Sequence, residues 1–562
     1  MVERRKWEDV SDETVYNDRH GPTASRNSDR RGRTVRVHGR VVRHNHHDDS
    51  GHSGYSGCLP FTAGAPMNLA SILDPHPADS PAIISGGLVT TYGDLRAQVD
   101  AVRGGLSALV KPGDRVAIIL ASNWYFAVAY FAALGAGAVV VPLNPQSPAA
   151  ELERELRAIR PRIAIVGATS EDAIASLDLQ SLGIEQVLVP EGVSIKDARP
   201  FEDLLVSDPT PRVECHSDDL AVLMFTSGTA GSPKAACLTH GNLLANLQQV
   251  QSTPGAVRPS DVILSVLPLF HIYGLNATLG LALFAGASAV LVQRFDPSSS
   301  LDTIREREIT VIAGVPPMYA AWEALPLAEA TRRDFESVRL AASGASKLDP
   351  ELAGRFAERF GIIIGEGYGL TEASPVVTGA DFPNPQVGTI GLPLPGVTIR
   401  LVDEQGNDAL VGDPGEIRIK GPNVFVGYWE DEDATARAIT RDGWLCTGDI
   451  AVADEDGYLT IVDRGKDLII VSGFNVYPNE VEEVLAGHPG VSDVAVVGVP
   501  NPHTGESVKA FVVAKPDRSL EEDDLIAFCG KQLARYKCPT KILFVSELPH
   551  GLGGKILRRE LR

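Results

Sequence analysis

One short run of residues has the composition of a phosphate-holding loop. Residues 226–234 read Thr-Ser-Gly-Thr-Ala-Gly-Ser-Pro-Lys, so hydroxyl groups and glycines crowd together ahead of a lysine. Glycines let backbone N–H groups approach an anion closely, hydroxyls add donors, and the lysine adds positive charge. The run differs from the P-loop of nucleotide hydrolases, in which Gly-Lys-Ser/Thr opens a helix. Pro233 disfavours helical geometry at Ser232, so the sequence predicts an extended, mobile loop that binds phosphate.

Four further motifs place charged residues beside glycines or at turns. Glu372 closes the run Tyr-Gly-Leu-Thr-Glu, and Asp449 closes the run Thr-Gly-Asp. Residues 463–467 (Asp-Arg-Gly-Lys-Asp) form a dense charge cluster, and Lys555 follows two glycines near the C-terminal end. Each motif alone has an ordinary explanation, such as a turn cap, a solvated linker or an exposed lysine. Their presence together and in this order makes coincidence a poor explanation.

Charge and composition exclude several classes of function. A net charge of −21 argues against a nucleic-acid partner and against electrostatic docking on anionic lipid. The 44% hydrophobic and 22% charged residues fit a soluble globular enzyme, and 562 residues require more than one domain. The six cysteines form no CxxC pair and no zinc-like spacing with histidine. Without a visible signal peptide, the sequence predicts a protein of the reducing cytoplasm.

Secondary-structure elements must hold these motifs in place. Short apolar runs alternate with longer amphipathic segments along the chain, and this alternation predicts an α/β fold with parallel sheets. The uncharged run Trp124–Val141 is close to the length of a membrane-spanning helix. Its two glycines and the apolar run before it instead favour a buried helix between two buried strands. The clearest strand candidates are Val116–Leu120, Ala138–Val141, Arg162–Val166 and Val262–Val266.

Three other regions have patterns of their own. Residues 1–66 are polar and lack apolar periodicity, which predicts a disordered extension. Residues 395–463 contain short strand candidates joined by Asp/Gly turns, which predicts an antiparallel subdomain. Beyond Lys466, strand and helix patterns predict a small α+β unit.

Together the motifs resemble the adenylate-forming superfamily of acyl-CoA synthetases, aryl-CoA ligases, firefly luciferase and peptide-synthetase adenylation domains. The resemblance begins at Met67, reaches the C-terminal end, and is greatest to the fatty-acyl-CoA ligases. It implies an α/β fold with a large N-terminal adenylation domain (67–465), built of parallel α/β subdomains plus a small antiparallel β subdomain (395–463). A small mobile α+β C-terminal domain (466–562) would follow.

The resemblance also implies a two-step reaction that uses ATP, Mg²⁺ and coenzyme A. A carboxylate attacks the α-phosphate of ATP and gives an acyl-adenylate and pyrophosphate. A thiol then attacks the acyl carbon and gives a thioester and AMP. Both first-step substrates are anions, so this chemistry needs charge neutralisation and alignment more than acid–base catalysis.

By resemblance, each motif acquires a role. The catalytic residues would be Thr226, Lys234, Glu372 and Lys555. Glu372 would hold Mg²⁺, Lys555 would bridge the carboxylate and the α-phosphate, and Asp449 would accept both ribose hydroxyls. The residues expected to bind the nucleotide and coenzyme A are Thr226, Ser227, Gly228, Thr229, Lys234, Gly344, Ala345, Glu366, Gly367, Tyr368, Thr371, Asp449, Arg464, Lys466, Ser472, Gly473 and Lys555.

In this family the small C-terminal domain rotates between the two steps, and the resemblance places the hinge at Lys466. In one orientation Lys555 would reach the site. In the other, residues 472–474 (Ser-Gly-Phe) would replace it and line the channel for the thiol.

The sequence limits the acid substrate to one class. Residues 267–275 resemble the pocket wall of fatty-acyl and aryl-CoA ligases and place His271, Tyr273 and nearby Ala277 in the substrate pocket. This segment lacks the aspartate with which peptide-synthetase adenylation domains hold an amine, so an acid without an α-amino group is predicted. Residues 315–319 resemble a second wall. Four small residues follow this segment: Ala277, Gly280, Ala282 and Gly286. They could leave room for an acyl chain, but small residues fit ordinary helix packing equally well.

Two features depart from the family pattern. Residues 549–555 read Pro-His-Gly-Leu-Gly-Gly-Lys, where relatives carry a basic residue and a Thr or Ser, so this loop should be more flexible. Glu366 stands where many relatives carry an amide.

The leading hypothesis is a cytoplasmic, AMP-forming ligase that converts a medium- or long-chain fatty acid to acyl-CoA. The sequence leaves open whether the protein forms a homodimer. A fatty acyl-AMP ligase that loads a carrier protein is the nearest alternative, although no extra insertion is visible between Asp449 and Arg464. An aryl-CoA ligase is the second alternative. A degenerate nucleotide-binding regulatory protein is the third, and the intact motifs argue against it.

Overall fold

The computed structural model describes residues 36–38, 67–226, 234–464, 468–515, 518, 520–549 and 558–561. The strands are β1 Arg36–His38, β2 Pro81–Ser85, β3 Leu88–Thr91, β4 Arg115–Ile119, β5 Val139–Pro142, β6 Ile163–Val166, β7 Gln186–Val189, β8 Arg199–Pro200, β9 Leu220–Thr226, β10 Lys234–Thr239, β11 Val262–Ser265, β12 Ser288–Leu291, β13 Val311–Gly314, β14 Leu340–Ser343, β15 Ile364–Glu366, β16 Tyr368–Gly369, β17 Val376–Gly379, β18 Leu392–Pro393, β19 Thr398–Val402, β20 Gly415–Lys420, β21 Gly427–Tyr428, β22 Leu445–Ala453, β23 Leu459–Arg464, β24 Ile469–Val471, β25 Phe474–Val476, β26 Val491–Asn501, β27 Gly505–Ala514 and β28 Lys541–Phe544. The helices are α1 Tyr92–Ser107, α2 Trp124–Gly135, α3 Ala149–Ile159, α4 Glu171–Ala175, α5 Glu202–Leu205, α6 His240–Gln251, α7 Ile272–Gly274, α8 Leu281–Ala285, α9 Pro297–Glu306, α10 Pro316–Glu323, α11 Pro350–Phe360, α12 Glu432–Ala438, α13 Pro478–Ala486 and α14 Glu522–Gly530.

Two large, mainly parallel sheets form the N-terminal part of the molecule. One has the strand order β21-β10-β9-β5-β4-β6-β7-β8, and the other has the order β15-β14-β13-β11-β12-β2-β3. In the first sheet β10 and β21 run antiparallel to their neighbours, and in the second only β3 does so. Helix α2 contacts strands of both sheets, α1 contacts β2 and β3 of the second sheet, and both helices belong to one apolar core with the sheets. The predicted α/β fold with parallel sheets is confirmed.

The uncharged run at 124–141 forms the buried helix and strand that its pattern predicts. Strand β4 precedes α2 and pairs in parallel with β5, which follows it. Every residue of α2 from Phe126 to Gly135 is buried, as expected for a helix that is apolar on all sides. Asn123 caps the helix by accepting the Phe126 N–H. Among the described residues, no helix combines the length and apolarity needed to cross a membrane.

A five-stranded antiparallel sheet, β1-β19-β20-β22-β23, corresponds to the predicted antiparallel subdomain. Its first strand comes from the polar extension, where β1 pairs with β19 and Arg36 forms an ion pair with Asp408 at 3.0 Å. At these three residues the extension is ordered, which differs from the expectation of disorder for residues 1–66. The reason is local, because the outer edge of β19 offers unpaired backbone groups that an extended segment can satisfy.

The C-terminal domain, described from residue 468 onward, has its own sheet and core. Its strand order is β25-β24-β27-β26, with β28 added in parallel to β27. Helices α13 and α14 pack on this sheet around buried valine, leucine and cysteine side chains. The predicted α+β unit is therefore present.

Candidate active site

The candidate phosphate loop joins two antiparallel strands. Thr226 ends β9 and Lys234 begins β10, and the two residues are direct register partners. The Thr226 hydroxyl donates a hydrogen bond to the Lys234 carbonyl at 3.4 Å. Lys234 therefore starts a strand and not a helix, in agreement with the distinction drawn from Pro233. Ser227, Gly228 and Thr229 lie outside the described residues.

Lys234 and Glu372 are brought together by a tyrosine that sequence analysis did not single out. Tyr428 lies on β21, which pairs with β10, and its hydroxyl donates to Glu372 Oε1 at 2.6 Å. The Lys234 ammonium lies 5.4 Å from the centre of the Tyr428 ring and 3.8 Å from the Asp431 carboxylate. Burial and the Glu372 charge raise the pKa of Tyr428, so it remains a neutral donor. A two-residue strand after a long loop has no pattern that could have indicated this contact.

A second carboxylate–tyrosine pair lies on the other side of the site. The Tyr368 hydroxyl donates to Asp449 Oδ2 at 2.7 Å. Asp449 lies on β22, and its register partner on β23 is Arg464. The structure thus brings together three residues that are far apart in the sequence, and one Asp449 oxygen already accepts a hydroxyl.

A cavity of about 190 Å³, which we call the main cavity, borders Tyr368 of this pair and also Thr371, the residue before Glu372. At one end it is lined by residues that follow the carboxyl ends of β14 and β15, where open α/β sheets bind ligands. Ala345 adopts a left-handed conformation there, with φ of +66°. The predicted nucleotide residues that line this end are Gly344, Ala345, Glu366, Gly367, Tyr368 and Thr371.

The other end of the main cavity is apolar. Its described walls carry no charged side chain, and the two glycines Gly255 and Gly365 pack directly against the Phe382 ring. The predicted pocket residues His271, Tyr273 and Ala277 line the cavity between its two ends. The apolar wall consists of Val250, Val257, Ile263, Leu281, Val311, Leu340, Phe382 and Leu394.

One expectation about the acyl pocket is wrong, and the structure also distinguishes the two explanations offered for the small residues. Residues 315–319 do not line the main cavity, because Val315, Met318 and Tyr319 point into the core between the second sheet and its outer helices. Of the four small residues, only Ala277 faces the cavity. The other three fill tight spaces in the packing, as the alternative explanation held.

Glu366 is a buried carboxyl group at the polar end of the main cavity. Its Oε1 accepts the Leu348 N–H at 3.2 Å. Burial raises its pKa to about 7, while the Leu348 hydrogen bond and Lys347 act in the opposite direction. The group is therefore partly protonated near neutral pH and, like an amide, can donate a hydrogen bond.

His271 lies where the main cavity meets a smaller one. This small cavity, of about 80 Å³, is lined by residues of both domains, including Thr226, His271, Phe474 and Tyr536. The His271 Nδ1 accepts the Tyr273 N–H at 3.3 Å, so Nε2 carries the proton. Shielding from bulk water lowers the pKa of His271 to about 4, which keeps the ring neutral.

Residues 472–475 of the C-terminal domain reach into this region. Gly473 and Asn475 line the main cavity, and Phe474 lines the small one. Gly473 has a φ of +85°, and a Cβ atom added to it would lie 2.8 Å from Val315 Cγ1. Ser472 also has a positive φ, of +52°, and its N–H donates to the Thr504 carbonyl. Lys466, Lys555 and the side chain of Arg464 lie outside the described part of the chain.

The donor set around Glu372 fits Mg²⁺ bound to phosphate. One carboxylate together with phosphate oxygens and water is a usual environment for this ion. The described residues contain no group of three or more histidine, cysteine or acidic side chains that could form an all-protein site.

Two family descriptions match the chain. The AMP-binding enzyme family matches residues 72–429, and the AMP-binding enzyme C-terminal domain matches residues 480–555. Together they cover the two large sheets and most of the C-terminal domain, while Asp449, Arg464 and residues 472–475 lie between the two matched ranges.

Relatives with assigned activities cover most of the chain. It is 39% identical over 521 residues to a long-chain-fatty-acid–CoA ligase of Escherichia coli O6:H1, a match that covers 86% of this chain and 92% of the relative. It is 36% identical over 493 residues to a feruloyl-CoA synthase of an Amycolatopsis species, covering 87% and 96%.

Solved structures resemble the chain along nearly its whole described length. The amide bond synthetase McbA from Marinactinospora thermotolerans is 28% identical, with a TM-score of 0.80, covering 88% of this chain and 99% of that one. Apo MatB from Rhodopseudomonas palustris is 34% identical, with a TM-score of 0.66, covering 88% and 98%.

Proposed function

The chain belongs to the AMP-binding enzyme family, and we propose that it converts a medium- or long-chain fatty acid to its acyl-CoA thioester with ATP. In the first step a carboxylate oxygen forms a bond to the α-phosphorus while the bond to the β-phosphate breaks, and pyrophosphate leaves. In the second step the thiol sulfur of coenzyme A bonds to the acyl carbon, and AMP leaves. The thiol proton is released.

The observation that carries this proposal is one continuous main cavity with two chemically different ends. Its polar end gathers the glycines, Glu366, Tyr368 and Thr371 that the family uses for a nucleotide. Its apolar end is walled by uncharged side chains, which suits an alkyl chain and leaves no partner for an α-amino group. Activation requires that a nucleotide and an acid meet, and this cavity offers one compartment for each.

The residues of this chain would neutralise and align the anions. Thr226, Lys234 and the loop between them are proposed to hold the β- and γ-phosphates. Glu372 is proposed to hold Mg²⁺, which supplies charge neutralisation when bound. The hydrogen bond from Tyr428 supports this role, because it fixes one Glu372 oxygen and leaves the other available.

Asp449 and Tyr368 are proposed to bind the ribose and the adenine. Asp449 Oδ2 accepts the Tyr368 hydroxyl, and its other oxygen can accept from a ribose hydroxyl. Arg464, its register partner, would contact ribose or phosphate. Gly344, Ala345 and Gly367 line the main cavity together with Tyr368 and are proposed to border the purine ring.

The second step is proposed to use the orientation of the C-terminal domain seen here. Gly473 and Phe474 lie at the junction of the main and small cavities, where an acyl carbon and a thiol could meet. Lys555 is proposed to reach the site in the other orientation, for the first step, with Lys466 as the hinge.

Cytoplasm is the proposed compartment. Within the described residues, Cys215, Cys237, Cys529 and Cys538 carry free thiols, in keeping with a reducing environment.

An aromatic acid is the second candidate substrate. The feruloyl-CoA synthase relative favours it, and the Phe382 and Tyr273 rings beside the main cavity could pack against another ring.

A panel of acids tests the proposal. Purified protein is given ATP, Mg²⁺ and octanoate, palmitate, benzoate or ferulate, with and without coenzyme A, and pyrophosphate, AMP and thioester are measured. We expect all three products with the fatty acids, and thioester only with coenzyme A. Pyrophosphate without thioester would instead identify a carrier-protein ligase, and activity with ferulate alone would identify an aryl-CoA ligase. If no acid gave pyrophosphate, both the fatty-acid proposal and the aromatic-acid proposal would be contradicted.

A further inference from the structure

A lysine lies between two carboxylates where the two domains meet. Lys537 Nζ donates to Glu151 Oε1 at 2.5 Å and to Glu480 Oε1 at 2.8 Å. The second oxygen of Glu151 accepts the Ala534 N–H at 2.7 Å. The side chains of all three ionic residues are at most 6% exposed. With Glu155, one helical turn after Glu151, they form what we call the buried lysine cluster.

The cluster joins the domains through a single glutamate. Glu151 lies in the first turn of α3, in the N-terminal part of the molecule. Lys537 lies just before β28, and Glu480 lies in the first turn of α13, so both belong to the C-terminal domain. Rotation of that domain would separate Glu151 from Lys537 while leaving Lys537 with Glu480. The contact between Glu151 and Lys537 is therefore specific to this orientation.

The cluster also borders the small cavity. Glu151, Glu155 and Lys537 line it together with Phe474. The Phe474 ring stacks on Tyr536, the neighbour of Lys537, with ring centres 4.6 Å apart, and lies parallel to Phe270 across the domain boundary. Ion pair and aromatic stack thus hold the same segment of the C-terminal domain against the site.

We propose that Glu151 and Lys537 are positioning residues for the second half-reaction, because their buried contact holds the C-terminal domain with Gly473 and Phe474 at the acyl site. This inference rests on the proposed two-step function. Neither residue needs to touch the reacting atoms. In the first half-reaction the domain must turn to present Lys555, so the contact is dispensable there.

Removing the lysine should destabilise the orientation seen here more than the adenylation orientation. Replacement of Lys537 by methionine would leave two buried carboxylates facing each other without a cation, and such groups strongly favour access to water. Water becomes accessible when the C-terminal domain turns away. The variant should therefore populate the adenylation orientation at the expense of the thioester-forming one.

The test measures the two half-reactions separately in Lys537→Met, in Glu151→Gln and in the double variant. We expect the conversion of supplied acyl-adenylate and coenzyme A to fall at least tenfold in each single variant. Pyrophosphate formation without coenzyme A should stay within twofold of the original, which also shows that the variants are folded. The double variant should lose no more than the worse single variant, because the contact is already broken.

Lys541→Met is the matched control. Lys541 lies four residues further along and pairs with Glu522 at 3.0 Å, but this pair is exposed and lies within the C-terminal domain. The Lys541→Met substitution should leave both half-reactions unchanged. Equal losses in both half-reactions, an unchanged second half-reaction, or additive losses in the double variant would overturn the inference. Failure of the unaltered protein to release pyrophosphate would instead contradict the proposed function.

Discussion

Glu366 shows how burial can give a carboxyl group the hydrogen-bonding capacity of an amide. The group lies at the proposed adenine end of the main cavity, where burial raises its pKa to about 7. Below that pH it is protonated and can donate to an acceptor on the nucleotide. Above it, the group is an anion in the same cavity as a triphosphate.

We therefore predict that the KM for ATP depends on the ionisation of Glu366. It should rise by up to about tenfold as the pH rises from 6 to 8, because the donor is lost as pH passes the group's pKa. Glu366→Gln cannot ionise and should show a smaller change. Steady-state kinetics at saturating fatty acid would measure this, and the variant serves as control for the titration of ATP itself. Identical pH profiles would contradict the prediction.

At the scale of elements, the loop between β24 and β25 can reach the main cavity only because residue 473 is a glycine. Gly473 has a positive φ, and the space that its Cβ would occupy holds a methyl group of Val315. Gly505, in the same domain, also has a positive φ of +79°, but its nearest neighbour would lie 3.9 Å away. The two glycines share a backbone conformation that would strain any residue with a Cβ atom, and they differ in the available space.

We predict that Gly473→Ala slows the conversion of acyl-adenylate to thioester by at least tenfold, because the loop must withdraw from Val315. Gly505→Ala should lower the melting temperature by a similar amount and leave this step unchanged, since both substitutions strain a positive φ. Single-turnover kinetics and thermal unfolding of both variants would measure the difference. Equal effects on the thioester step would show that strain alone is responsible.

Most elements could be predicted from their sequence patterns, because burial on both faces of a parallel strand leaves a continuous apolar run. Strands β4 and β5 are each displaced by one residue from their predicted bounds. The Tyr428–Glu372 and Tyr368–Asp449 hydrogen bonds could not be predicted, since each joins side chains from separate elements. The wall assigned to residues 315–319 was wrong because an apolar helix that packs into a core has the same composition as one that lines a cavity.

For the whole molecule, we expect protonation of Glu155 to influence the orientation of the two domains. Burial, followed by the charge of Glu151, raises the pKa of Glu155 to about 8, while Lys537 and Arg154 lower it and Glu480 raises it. Tyr536 also borders the small cavity beside Glu155. The protonated form thus favours the orientation seen here. This orientation loses stability as pH rises from the ordinary range of a glutamate through about 8.

We predict that the rate of thioester formation relative to pyrophosphate formation falls with rising pH in the unaltered protein, and falls less in Glu155→Gln. Thiol reactivity changes with pH in both proteins equally, so the difference between them isolates Glu155. Glu153→Gln is the control, because Glu153 lies on the same helix but is exposed and paired with Arg157. Parallel profiles for all three proteins would contradict the coupling. Sequence patterns could not indicate it, because Glu151 and Lys537 are far apart in the chain and meet only through domain contact.

The three residues of β1 have a consequence for the surface of the molecule. Without them, β19 would be the outermost strand of its sheet, with a row of free backbone donors and acceptors open to another chain. Arg36 and Arg400 share the Asp408 carboxylate, so the segment is held by charge as well as by strand pairing. A stretch of sequence that looks dispensable by composition thus covers an edge at which strands of another copy could otherwise pair.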